Sequence, residues 1–241
     1  VKEVVFYNVD AISGDLRWAR LKVINEILQK KKNIVVTSIE AFASQYTPKK
    51  LFKDHKINLK VGKEVDFKEL SQLLIEGGYE RVDMVEGKGE FSLRGGLLDV
   101  FPADSTYPYR VELFGDTIDS IRSFNTESQR SIDKVKSIKI FPAKEIIVDD
   151  EIIKEALSSI EAELKETLAS NRNKDRAEKL TDVINNNIEM LRETHYFETI
   201  DSYLPLIYKS SETFFDYLND YVFILDDKVR SLGKLDSTYT E

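Results

Sequence analysis

The side chains of this chain that could do chemistry are its acids and its arginines, because it holds no cysteine and only two histidines, His55 and His195. Without thiols there is no disulfide, no zinc–thiolate site and no cysteine nucleophile. Two imidazoles are too few for a histidine-rich metal centre. Val222-Phe223-Ile224-Leu225-Asp226-Asp227 has the form of a buried strand ending in acids, which in nucleotide hydrolases holds magnesium through water. No GxxxxGK[ST] accompanies it, so there is no phosphate cradle for it to serve, and it reads as a strand leaving the core into a polar turn. Gly87-Lys88-Gly89 lacks the third glycine and the following helix of a dinucleotide site. Asp99 has the type of a general base but no nucleophile or histidine beside it, and Glu161, Glu163 and Glu166 fall on the polar face of an amphipathic helix. The residues give no catalytic set, and the chain reads as non-enzymatic.

The arginines suggest recognition instead. They lie on a series of short strands expected at 79–85, 90–94, 97–101, 109–114, 117–124 and 134–141, separated by glycine-, asparagine- and proline-containing turns that imply mostly antiparallel neighbours. Alternation puts Phe91 with Leu93, Leu98 with Val100, and Val111 with Leu113 on apolar faces. The opposite faces then carry Arg81, Arg94 and Arg110 interleaved with Tyr79, Phe101 and Phe114. A guanidinium can fork to a carboxylate, and an aromatic buries a large area with few rotors, so this mixture suits a binding face. An ordinary half-solvated sheet carries some of both, and alternation alone leaves the two readings open. Gly95-Gly96 reads as a tight turn or bulge.

The flanking sequence has a different rhythm. A strand at 4–7, a helix at 14–29, a buried strand at 33–37 (NIVVT) and a helix capped by Ser38 and running through Ala43 make an α/β layer. Pro48 and a lysine-rich stretch, Lys49, Lys50, Lys53, Lys56, Lys60 and Lys63, mark a junction. Ile57, Leu59 and Val61 alternate as a strand, and Phe67, Leu70, Leu73 and Leu74 form a helix that Gly77-Gly78 stops. Helices follow at 150–169 and 175–192 with a loop at 170–173. A buried strand is expected at 221–225 (YVFIL), and 228–241 reads as a frayed tail. The last strand can rejoin the first layer, which makes the middle an insertion.

The net charge is −8 and the pI about 5.1, which argues against a free-standing nucleic-acid binder but leaves room for a local basic face. No apolar run approaches the ~20 residues of a membrane span, and the N-terminus has no secretory pattern. The first residues, VKEVVFYNVD, lack an initiator methionine and read as a cut inside a larger intracellular protein.

GEFSLRGGLLDVFP at 89–102, YRVELFGD at 109–116, and Ile118 to Phe124 continuing through Ser128-Gln129-Arg130-Ser131 resemble the N-terminal region of the bacterial transcription-repair coupling factors, itself similar to the excision-repair protein UvrB. VVFYNVDAISGD, NIVVTSIEAF, GYERVDMVEGKGEF and SYLPLIY resemble the same region, so the likeness covers roughly 1–227. UvrB itself is the rival reading, although it has a charged residue where this chain has Gly96 and keeps a P-loop upstream. The resemblance implies a degenerate UvrB-like α/β domain 1, of helices and a parallel-type sheet, with an inserted, mainly antiparallel α+β domain 2. By position, 1–52 would be the end of domain 1a, 53–145 domain 2, and 146–241 domain 1b with its tail. It further implies a cytoplasmic module that docks UvrA through domain 2, with no cofactor of its own. ATP, magnesium, RNA polymerase and DNA would engage a motor and other domains farther along the full protein. Arg81 and Arg94 stand where UvrB-type sequences present arginines to UvrA, and Ser92 where UvrB has another arginine. Phe101 and Arg110 join them from the face assignment. The alternative is direct DNA binding through Lys49–Lys63.

Overall fold

The computed structural model describes residues 14–170, 173–197, 199–210 and 212–240; the strand expected at 4–7 lies outside them. The fold is mixed α/β. Its strands are β1 (Gln45–Tyr46), β2 (Ile57–Lys60), β3 (Glu80–Arg81), β4 (Glu90–Arg94), β5 (Leu97–Val100), β6 (Tyr109–Phe114), β7 (Thr117–Phe124), β8 (Ser131–Val135), β9 (Ser137–Ile140) and β10 (Glu212–Thr213). Its helices are α1 (Gly14–Leu28), α2 (Ile39–Ala43), α3 (Lys49–Asp54), α4 (Phe67–Glu76), α5 (Asp150–Ser170), α6 (Lys174–Thr194), α7 (Leu204–Ile207), α8 (Phe214–Tyr217) and α9 (Lys228–Thr240). None is long and apolar enough to cross a membrane. The described residues fall into two compact units, 14–33 with 49–147, and 34–48 with 148–240.

The first unit is built on a six-stranded sheet, β3-β4-β5-β6-β7-β8, antiparallel except for the β3–β4 pair. Register aligns Leu93, Leu98, Val111, Ile121 and Val135 in one row across five strands. That face packs on the inner side of the antiparallel ribbon β2–β9, through Leu59, Ile138 and Ile140, and on Leu70 and Leu74 of α4. Each fully buried side chain of this size contributes about 1.5–3 kcal/mol. Asp66 starts α4 by accepting from the Lys68 amide at 2.7 Å, and Gly78, at φ +85°, turns the chain away after it.

The expected strand at 134–141 is two strands that part at Lys136, because β8 pairs with β7 while β9 pairs with β2. The strand at 79–85 shrinks to two residues. Tyr79, expected on the polar face, is instead buried in the core, with its hydroxyl donating to the Phe141 carbonyl at 2.8 Å. That burial pushes its phenol well above the ordinary range. Trp18 of α1 also packs on this core, tight against Gly89.

In the second unit Ser38 caps α2 as expected, accepting from the Ala41 amide. The chain returns to the 34–48 segment through the β1–β10 pair. The return was expected at 221–225, and that run forms no strand. It has no regular structure, with Ile224 93% exposed, and neither has 34–37, with Ile34 94% exposed. Residues 228–240, expected as a frayed tail, form helix α9, whose Lys234 pairs with Glu40. Phe42, Phe215 and Phe223 gather in one aromatic cluster with centroids 5.2–5.6 Å apart.

Candidate docking face

The face of the six-stranded sheet that turns away from the core is organised by two register rows. One runs Ser92, Asp99, Arg110, Arg122, Lys134, and its neighbour Arg94, Leu97, Glu112, Ser120. Asp99 is the anchor, at 1% exposure. Arg110 donates to it from Nε and Nη2, each at 2.7 Å, and to the Gln129 amide oxygen at 3.0 Å. Its guanidinium also stacks 4.5 Å from the Phe124 ring centroid. The Asp99 hydrogen bonds raise the Arg110 pKa further above its usual value. Arg94 reaches the same carboxylate at 3.3 Å while its side chain stays 54% exposed. Beside them Glu112 takes the Ser120 hydroxyl at 2.8 Å and pairs with Arg122. The Ser120 hydrogen bond and the Arg122 charge, opposed by partial burial, hold the Glu112 carboxyl below the usual carboxylate range.

One end of this face is covered. Residues 82–88 fold over it, held by the Ser92 hydroxyl to the Asp83 carbonyl at 2.9 Å and by the Glu90 carboxylate, which accepts from the Glu86 and Gly87 amides at 2.8 Å. Val82 and Val85 pack there on Phe101 and Phe124. Phe101 is therefore on the face that alternation assigned to it, but buried rather than presented to solvent. Ser92 is also buried and spends its hydroxyl on the backbone.

The structure thus brings Arg94 and Arg110 together on Asp99, which is an arginine anchor and not a base. Arg81 is apart from them: it is exposed on the edge strand, in register with Phe91 and so in the opposite row. Phe114, set on the polar faces by alternation but left out of the site, is 84% exposed at the end of β6 beside the Gly115 turn. A large aromatic so exposed at the end of a well-packed strand is the signal that singles it out, and sequence alone does not show exposure.

Residues 57–146 match the family described as the UvrB interaction domain. The chain is also 35% identical over 240 residues to the transcription-repair-coupling factor of Bacillus subtilis, covering 98% of this chain and 20% of that protein. The chain is homologous to the N-terminal fifth of the transcription-repair-coupling factors. Those of Staphylococcus epidermidis and Staphylococcus aureus MRSA252 are 29% and 28% identical over 248 residues, each across all of this chain. The chain spans about one-fifth of the length of these curated relatives. The segment matching the UvrB interaction domain takes in β2 through β9, and with them the whole candidate face.

Proposed function

We propose that this chain is a non-catalytic docking module that recruits UvrA in transcription-coupled excision repair, through the outward face of β4–β7. The observation that carries the reading is the buried Asp99, which fixes Arg110 beneath a half-exposed Arg94 in a segment matching the UvrB interaction domain. Arg94 and the exposed Phe114 are its contact residues, a guanidinium and an aromatic of the kinds that dominate binding energy at interface centres. Arg110 positions Arg94 through the shared carboxylate, and Phe101 supports Phe124 beneath Arg110. Arg81, on the edge strand, contributes from the rim.

In this reading 53–145 is a UvrB-like domain 2 inserted between 1–52 and 146–241, which together make a degenerate, cytoplasmic UvrB-like domain 1. Association with RNA polymerase and DNA, and the use of ATP and magnesium, belong to other parts of the longer protein. Calorimetric titration with UvrA tests the proposal: Arg94→Gln, which puts no second carboxylate beside Asp99, should weaken binding about 30-fold, the equivalent of ~2 kcal/mol, with little change in the melting temperature. An unchanged affinity would remove Arg94 from the interface.

A further inference from the structure

On the far side of the same unit lies a surface of the opposite electrostatic character to the chain as a whole. The chain carries 43 acids against 35 lysines and arginines, yet 56–63 and 136–139 hold five lysines, Lys56, Lys60, Lys63, Lys136 and Lys139, and no acid. These segments are joined in space by the β2–β9 ribbon, in which Asn58 pairs with Lys139 and Lys60 with Ser137. Ile57, Leu59, Ile138 and Ile140 turn inward to the core, so the ribbon's outward row is Asn58, Lys60, Ser137 and Lys139. Lys60 and Lys139 are diagonal neighbours, about 7–8 Å apart at Cα in such a ladder. Lys136 stands at the bend between β8 and β9, its carbonyl accepting from the Val61 amide. Lys56 precedes β2 in the same alternation.

None of these five lysines has an ion-pair partner within 4 Å among the described residues, although Asp54 and Glu64 lie beside them in sequence. Asp104 lines one pocket with Ser137 and Lys139 but makes no ion pair with the ribbon, so the repulsion of like charges there is only partly compensated within the unit. An anion with regularly repeated charge relieves it.

We propose that the outward face of β2–β9 binds the phosphate backbone of a DNA duplex without reading its sequence. Lysine, a point charge on a flexible stem, suits phosphates, whereas the forked guanidinium that selects a carboxylate is absent from this ribbon. Asn58 and Ser137 add neutral donors of the kind that contact phosphate oxygens. The outward row has no apolar side chain to enter an acyl layer, which separates it from a membrane-binding surface. The six-stranded sheet lies between this ribbon and the Arg94 face, so DNA and a protein partner can bind together. The proposal is independent of the docking reading and stands on other residues.

Fluorescence anisotropy of a labelled 30-base-pair duplex, titrated with the 241-residue chain, tests it. With about four phosphate contacts, affinity should fall roughly 100-fold between 50 and 200 mM KCl. The double variant Lys60→Glu, Lys139→Glu should lose binding at 50 mM KCl while keeping its circular-dichroism melt, and Arg94→Glu should bind duplex as the unaltered chain does. No binding at 50 mM KCl, binding unmoved by the double charge reversal, or stronger binding to anionic lipid vesicles than to duplex would overturn the proposal.

Discussion

Arg110 closes on Asp99 with two hydrogen bonds of 2.7 Å, one to each carboxylate oxygen, in the middle of the candidate docking face. The pair connects sequence to function by a short path. Register places Asp99 and Arg110 opposite each other on adjacent strands, and the bidentate grip leaves the same carboxylate to steady a half-exposed Arg94. Removing the charge strands Arg110. Asp99→Asn should therefore cost about 2–3 kcal/mol in urea unfolding, somewhat less than for a fully buried pair because Arg110 keeps some solvent contact. It should also weaken UvrA binding.

Two glycines with left-handed backbones predict different costs. A Cβ on Gly89, at φ +81°, would stand 2.5 Å from the Trp18 ring, whereas one on Gly95, at φ +57°, meets nothing within 4 Å. Gly95→Ala should cost only the backbone strain of about 1–2 kcal/mol. Gly89→Ala should cost more and displace Trp18, the chain's one tryptophan, which intrinsic fluorescence reports directly.

Much of the fold is legible in the residues, and the exceptions have physical causes. The hairpins from 90 to 124 follow from alternation broken by turns at Gly95-Gly96 and Gly115-Asp116, because one buried face fixes their register apart from a shift at Glu112-Leu113. NIVVT and YVFIL are apolar enough for strands but find no strand partner among the described residues, and composition cannot supply one. Alternation placed Arg94, Phe101 and Arg110 on one face correctly. It could not reveal that residues 82–88 cover the Phe101 end of that face, nor that Phe114 is left bare at the other. Tyr79 departs from the alternation because the turn at Gly77-Gly78 directs it into the core before the strand begins. The basic ribbon was half visible, since β9 supplies Lys139 from a segment 79 positions after Lys60, given the 60 and 139 numbering of the two.

Asp104 gives a pH signature. Partial burial raises its carboxyl pKa above the ordinary value, and Gln29, Lys31 and Lys88 offset only part of the shift. A raised acid binds its proton more tightly folded than unfolded, so its contribution is most favourable at low pH and turns into a penalty as pH rises from the unfolded value of about 4 through the folded one. Asp104→Asn should accordingly melt higher than the unaltered chain at pH 7, and the advantage should shrink toward pH 4. Thermal melts of both proteins across that range give the comparison, and a gap that widens on acidification would refute the assignment.

The docking face is tested most directly by titrating UvrA into the unaltered chain and into two single variants, Arg94→Gln and Phe114→Ala, each checked for an unchanged melt. Arg94 is half-exposed and Phe114 almost wholly so, and Arg110 still holds Asp99 in the Arg94 variant, so neither change should disturb the fold. The docking account expects saturable binding by the unaltered chain and a loss of at least about tenfold in affinity for each variant. Equal affinity for all three proteins, or no binding by the unaltered chain, would contradict it.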